Sequence, residues 1–458
     1  MNKLNNFLKE NKILIIACIF TTIFFLYQHY KILNWDFITY ILNAKYLFLQ
    51  GNYFEWARDP SMPFLLGIFS IFTWKLSPYI YIIFVSFLHL YSSIKLSEKF
   101  DINKNIYYLI SLSPFLLIEG LKNGTELLAL SLIQLFLAYF NTNLSSIFFG
   151  LAFLTRYTSI SLLPLILFLK NPKKIATFLI IFLIVISPWL IFNYIKTGNA
   201  LLSIADSYAL NIRFRDYIKE PFPLLDFLVA FNYLLFFFII GFFKKIKKLN
   251  KNDFIMLLMI LLTLIAFYKI PVKSSTIRYL FFLIIPLTYF SVYALQKIKK
   301  QFIFILFVII LIISFIITFN TYTDRLENYK QALPYLGNCS TYSNNWVYLN
   351  YLGKNTNPDL YREQFKSKLN KGDRILMFYN NLENLYIKNE TFLKDLPMIV
   401  KNDKFILLGN KSKCNLDEEK IDTSYVINRQ STILEVYNYT EDISNCYIFF
   451  EKKIPLIC

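Results

Sequence analysis

KILIIACIFTTIFFLYQHYKILNWDFITYILNAKYLFLQGNYF, residues 12–54, decides how the rest of the chain is read. Residues 12–30 hold no carboxylate, and an apolar run of that length crosses a ~30 Å hydrocarbon core as a helix. Lys3, Lys9 and Lys12 precede it, as in a signal peptide. No small-residue cleavage site follows Phe25 to Tyr30, so the run reads as an uncleaved first span with its basic end in the cytoplasm. Asp36 then follows Trp35 at the exit of that span and opens a helical pattern, WDFITYILNAKYLFLQG, whose polar edge would lie at the interface.

Working outward, the composition agrees with a membrane protein. Of 458 residues 56% are hydrophobic and only 17% charged, against roughly a quarter charged in a soluble domain. The formal charge of +18 would suggest nucleic acid in a soluble protein, but +17 of it falls before residue 321, in short basic loops between apolar runs. Nucleic acid is thereby excluded as a partner. Further runs lie at about 78–94, 105–119, 126–140, 145–169, 174–195, 224–243, 253–270, 278–295 and 302–320. Basic clusters at Lys3–Lys12, Lys95–Lys104, Lys170–Lys174, Lys244–Lys251 and Lys297–Lys300 mark the cytoplasmic side. With residues 145–169 read as two short helices breaking near Thr155-Arg156, about 11 spans result; with two weaker runs not crossing, 9. Either count is odd and puts the C-terminal part outside. The predicted fold is mainly α: a polytopic transmembrane helical bundle over residues 1–320, with an extracytoplasmic α/β domain over 321–458.

That tail carries strand-like runs such as Arg374–Tyr379 and Phe405–Leu408 between Gly- and Asn-rich turns. The stretch Asn344 to Tyr351 reads as part of a sheet core. Four of five cysteines (Cys339, Cys414, Cys446, Cys458) lie there, which permits one or two disulfides of unassigned connectivity. Four connections map to the outer face: 31–60, 119–125, 196–223 and 270–277. A Pro-bounded run from Pro60 to Trp74 reads as re-entrant or interfacial.

Only His29 and His89 are present, so a His-based triad or multi-His metal site is nearly excluded, and eleven glycines show no phosphate-cradling spacing. Carboxylates and arginines remain. Nine of the thirteen acids before residue 321 map to outer connections: Asp36, Glu55, Asp59, Glu119, Glu126, Asp206, Asp216, Glu220 and Asp226. Exclusion of lysine from that face accounts for any one of them equally well. Asp36 is the best placed to act as a general base on an acceptor hydroxyl. All five arginines of this part (Arg58, Arg156, Arg213, Arg215, Arg278) also map at or near the outer face, in a chain with 39 lysines to 9 arginines. A guanidinium binds phosphate oxygens bidentately where an ammonium cannot; the plainer account is snorkelling or pairing with a nearby acid.

WDFITYILNAKYLFLQGNYF with RDPSMPFLLGIF, GTELLALSLIQLFLAYF, GLAFLTRYTSISLLPLILFL, SPWLIFNYIKTGNAL and STIRYLFFLIIPLTYF together resemble, in order and spacing over residues 12–320, the polytopic glycosyltransferases of the C fold (GT-C). That family uses sugars linked to polyprenyl or dolichyl phosphate. The resemblance implies that Asp36 is the catalytic acid of the first loop, deprotonating or orienting the acceptor. It implies that Glu126 is the acid of the second loop, binding sugar or cation, and that Arg156 and Arg278 lie near the lipid phosphate. Arg58 and Asp59 fall in the substrate cleft. A divalent metal, Mg or Mn, is left open with Asp36 and Glu126 as ligands, because Asp36 is followed by Phe37 where many relatives carry a second acid. NNWVYLNYLG does not match the oligosaccharyltransferase signature, which points to a monosaccharide donor. The expectation is a multi-pass cell-membrane enzyme, N-terminus cytoplasmic, transferring a sugar from a lipid-linked donor to a glycan, lipid or protein acceptor. A flippase of lipid-linked saccharides and a non-catalytic surface protein are the rival readings.

Overall fold

A computed structural model describes residues 10–211, 224–268, 274–320, 326–360, 364–379, 393–416 and 420–427. Arg213, Arg215, Asp216, Glu220, Cys446 and Cys458 lie outside the described residues. The chain forms two compact units, one of residues 1–34, 59–201 and 211–322, the other of 35–58, 202–210 and 323–458.

The first unit is helical. Among its described residues six helices are long and apolar enough to cross a membrane: Lys12–Lys31, Ser77–Phe100, Pro172–Thr197, Leu224–Lys248, Ile277–Leu295 and Lys300–Asn320. The 20 residues of the first give about 30 Å at 1.5 Å per residue, the thickness of a hydrocarbon core. Local sequence explains where these helices stop. Asn171 caps the helix Pro172–Thr197 by accepting from Lys173 N, Pro172 occupies the first turn, and Gly198 ends it in the left-handed region at φ 75°. Gly241 is required by packing: a Cβ there would sit 1.9 Å from Phe290 O, so the helices Leu224–Lys245 and Ile284–Leu295 approach closely only because the side chain is missing.

The shorter apolar runs fill the space between these helices. Run 105–119 is two helices, Lys104–Ser111 and Pro114–Glu119, with Ser113 capping the second. Residues 145–169 break where expected: an α-helix, Asn143–Thr155, gives way at Arg156, extended at φ −152° and ψ 113°, to a 3-10 helix, Tyr157–Leu169. Helices Glu126–Ala138 and Asn143–Thr155 form a hairpin, so Glu126 and Arg156 share one end of it and Ala138 and Asn143 the other. Buried Gln134 is paired on both sides of its amide: it donates to Tyr107 OH at 3.0 Å and accepts from Ser92 Oγ at 2.6 Å.

The second unit is discontinuous in sequence. Its helix Trp35–Leu47 matches the pattern that opens at Asp36. A strand, β1 (Tyr53–Glu55), follows, and β2 (Thr341–Ser343), β3 (Arg374–Phe378), β4 (Met398–Lys401), β5 (Phe405–Leu408) and β6 (Ile421–Thr423) come from the tail. One sheet has the order β2-β3-β5-β4, with β2 parallel to β3 and the other pairs antiparallel. The second is β1 parallel to β6, Tyr53 opposite Ile421 and Glu55 opposite Thr423. A disulfide joins Cys339, just before β2, to Cys414, beyond β5. The stretch read as sheet core at Asn344 to Tyr351 is instead a helix, Trp346–Tyr351. Its aromatic residues pack against helix 35–47, Trp346 and Tyr348 meeting Trp35 edge-on at 4.7 and 5.6 Å between centroids.

Candidate functional site

Each unit brings together some of the residues singled out from the sequence. In the first, the corner at Arg156 is decisive. Because the helix ends there, the guanidinium leaves the hairpin at the same end as Glu126, and Arg156 Nη1 donates to Glu126 Oε1. Arg278 Nη1 lies 4.0 Å from the same oxygen. Both guanidinium groups lie against one ring, Tyr279, at 5.3 and 5.6 Å from its centroid. Glu126 is wholly buried, and its Oε2 has no hydrogen-bond partner among the described residues. Arg156 and Arg278 keep 11% and 21% of their side-chain surface exposed. Two cations against one anion leave the cluster with a net positive charge and donors at its surface, the arrangement that receives a phosphate oxygen.

Asp59 supports this corner. Its Oδ1 accepts from Tyr157 N at 3.1 Å, and Tyr157 OH accepts from Trp189 Nε1 at 2.8 Å. The carboxylate thus holds the residue after Arg156.

In the second unit Arg58 bridges two acids. Its Nη1 donates to Asp36 Oδ1 at 2.8 Å and its Nε to Glu55 Oε1 at 2.9 Å. Glu55 is fully buried, whereas Asp36 keeps 16% of its side chain exposed. Tyr53 OH and Tyr425 OH donate to Glu55 Oε2 and Oε1 at 3.2 and 3.3 Å, and Trp346 Nε1 donates to Tyr53 OH at 2.7 Å. Backbone placement comes from Asn43, which pairs with both the N–H and the C=O of Glu55 at 2.9 Å each. Burial pushes the Glu55 carboxyl up in pKa, with Arg58 opposing. For Arg58 itself burial acts downward, but Glu55 and Asp36 outweigh it and hold the guanidinium charged. Asp206 Oδ1 accepts from Ser424 Oγ and Val426 N and its Oδ2 from Tyr425 N, which fixes the turn carrying Tyr425; burial pushes its pKa up to about 6 despite those bonds. Two acids around one arginine leave this cluster net negative, with Asp36 as its exposed member.

Glu55, Tyr53, Tyr425 and Trp346 were not predicted as site residues. The acidic residue Glu55 was visible, but its partners lie far off in sequence, and three-residue strands leave no periodic signal. A divalent cation does not fit the donor sets. Asp36 and Glu126, the two expected ligands, are each already met by a guanidinium, and no group of three or more His, Cys, Asp or Glu able to hold an ion occurs among the described residues. No step is therefore routed through a metal.

The helical bundle, the broken hairpin with its arginine corner and the small α/β unit define a polytopic helical fold of the GT-C type. Among solved structures the chain is similar to ArnT from Cupriavidus metallidurans bound to undecaprenyl phosphate: 9% identity, 87% of this chain and 98% of that chain covered, TM-score 0.64. It is also similar to ArnT from the same organism in the apo state, at 10% identity, 81% and 92% coverage and TM-score 0.54. No family model and no curated protein sequence matches the chain.

Proposed function

We propose that the protein is an integral membrane glycosyltransferase that takes a sugar from a polyprenyl phosphate and passes it to a hydroxyl or amine acceptor at the outer face of the membrane. The observation that carries the reading is the arginine pair on Glu126 and Tyr279 in a fold shared, over nearly the full length, with a protein bound to undecaprenyl phosphate. In this reading Arg156 and Arg278 bind the phosphate of the lipid and stabilise the charge that builds on it as the bond to the sugar C1 breaks. Asp36, oriented by Arg58, accepts a hydrogen bond from the acceptor and takes its proton as the new bond to C1 forms. The products are a glycosylated acceptor and polyprenyl phosphate, and a single displacement inverts the anomeric centre. The N-terminus is cytoplasmic and the second unit outside, where the Cys339–Cys414 disulfide suits an oxidising compartment.

Membranes carrying the intact protein, incubated with a panel of radiolabelled polyprenyl-phosphate sugars, test this. Label should pass to an acceptor from at least one donor, and Asp36→Asn should abolish the transfer. A labelled lipid that changes leaflet without being consumed, with Asp36 dispensable, would move the protein to the flippase class.

A further inference from the structure

Glu55 is a carboxylate that the proposed transfer does not use. Its side chain is wholly buried and out of reach of a substrate, yet the chain converges on it from three places. Asn43 of helix Trp35–Leu47 holds its backbone N–H and C=O at 2.9 Å each, Tyr53 of β1 donates to Oε2 at 3.2 Å, and Tyr425 of the tail donates to Oε1 at 3.3 Å. Arg58 Nε donates to Oε1 at 2.9 Å. Three donors on two oxygens fit the ionised form. Burying a charge is costly, and a neutral side chain of the same volume fills such a place with less desolvation, so the fold by itself does not call for an anion here.

The charge faces Asp36 across one guanidinium. Arg58 gives its Nε edge to Glu55 and its Nη1 to Asp36 Oδ1 at 2.8 Å, so the two carboxylates lie closer together than the ~10 Å over which 0.1 M salt screens a charge. A guanidinium against a single carboxylate favours its ionised form and so weakens it as a base. A second anion on the same guanidinium opposes that effect. Burial raises the Glu55 pKa, Arg58 opposes and Asp36 adds to the rise; a charge–charge interaction acts on both partners, so Glu55 acts in the same sense on Asp36. Tyr40, its ring centroid 5.9 Å from the Arg58 guanidinium, and Tyr53 and Tyr425 also face this trio, and burial holds the last two phenols well above their ordinary pKa. Asp206, which accepts from Tyr425 N, is the further acid behind them, its pKa pushed up to about 6 by burial.

We propose that Glu55 is a positioning residue for the transfer: it fixes Arg58 by the Nε edge and, by its charge, divides the guanidinium's field, so that Asp36 is oriented without being weakened as a base. The inference rests on the reading of Asp36 as the group that takes the acceptor's proton. It assigns the tail a part in the reaction, since Tyr425 is one of the donors that hold Glu55 in place.

The test compares wild type, Glu55→Gln and Glu55→Asp as intact chains in membranes across a pH series. Transfer from a labelled polyprenyl-phosphate sugar gives the acid limb of kcat/KM, which reports the base of the free protein. Removing the like charge should move that limb down by about one unit in Glu55→Gln. One unit of base strength changes proton transfer by at most about tenfold, so kcat should fall by about three- to tenfold with the donor KM unchanged. Glu55→Asp keeps the charge and should keep the limb in place. A second readout needs no turnover: a water-soluble carbodiimide with an amine labels a carboxyl in its protonated form, and peptide mass spectrometry gives the pH midpoint of labelling at Asp36, which should move down with the limb. Asp206 is present in all three proteins, so its titration cancels in the comparison. Glu55→Met, neutral and of similar length, should give the same shift and replaces the glutamine variant if that one does not accumulate. A limb and a labelling midpoint that stay in place in the neutral variants, with transfer lowered equally at every pH, would show a merely structural role and overturn the inference. Absence of transfer by wild type would overturn the transferase reading instead, and the labelling midpoint would still decide what Glu55 does to Asp36.

Discussion

Replacing Arg58 by glutamine removes the cation that pairs with the fully buried carboxylate of Glu55. Arg58 Nε lies 2.9 Å from Glu55 Oε1, with Glu55 at 0% side-chain exposure. Two unit charges about 4 Å apart interact by roughly 4 kcal/mol at an effective dielectric of 20. Breaking one partner of a buried pair typically costs about 3–5 kcal/mol because the other charge is left behind. Tyr53 and Tyr425 still donate to Glu55, which places the expected loss at the lower end, about 3 kcal/mol. The loss depends on pH. Burial already raises the Glu55 pKa with Arg58 opposing, so the variant raises it further. A carboxyl whose folded pKa exceeds its unfolded value is most stabilising on the acid side, and that contribution is lost as pH rises through the folded value. The Arg58→Gln deficit should therefore grow as pH rises and shrink toward acid pH. Glu55→Gln/Arg58→Gln, which removes both charges, should recover most of it. Equilibrium unfolding in mild detergent followed by tryptophan fluorescence is suitable, since Trp346 donates to Tyr53 in the same network. A deficit below about 1 kcal/mol, the worth of an exposed pair, or one flat in pH, would refute the reasoning.

Arg156→Gln leaves Glu126 with Arg278 alone at 4.0 Å, and sugar transfer should fall by about 10²–10³, with Arg156→Lys recovering little because an ammonium lacks the paired donors; initial rates on a fixed donor check both. Asp206, with its pKa pushed up to about 6, binds a proton in the folded state that the unfolded chain has released by then, so stability falls as pH rises from about 4 to 6. Asp206→Asn should flatten that slope, worth roughly 3 kcal/mol at 1.36 kcal/mol per unit, as read from unfolding midpoints across the range. The Cys339–Cys414 bond closes a separation of 75 residues, and Cys339→Ser should cost about 4–5 kcal/mol by the loop-entropy relation, measured against wild type without reductant.

The helical bundle was legible because lipid imposes long apolar runs, and the break at Arg156 because a charged residue between two such runs rarely continues a buried helix. Asp36 was legible as the first residue pair of an amphipathic pattern. The site's remaining residues were not, for a topological reason. Glu55 is reached by Tyr425, 370 residues away, through the pairing of β1 with β6, and the strands are three residues each. Such short pairings depend on tertiary context more than on local pattern. Trp346 was misplaced in a strand because aromatic residues favour sheets, whereas here they form one turn of helix against Trp35. Asp59 was read as a cleft residue, and the hydrogen bond it accepts from Tyr157 N shows how it holds the arginine corner, a role no local pattern signals.

The central claim is that phosphate stays on the lipid while the sugar leaves it. Mass spectrometry of the lipids extracted from membranes carrying the protein, after incubation with a polyprenyl-phosphate hexose, measures this directly. The account predicts that polyprenyl phosphate appears in step with glycosylated acceptor, and that Asp36→Asn and Arg156→Gln both suppress it. Donor recovered intact, or lipid released as polyprenyl alcohol with the phosphate on the sugar, would contradict it.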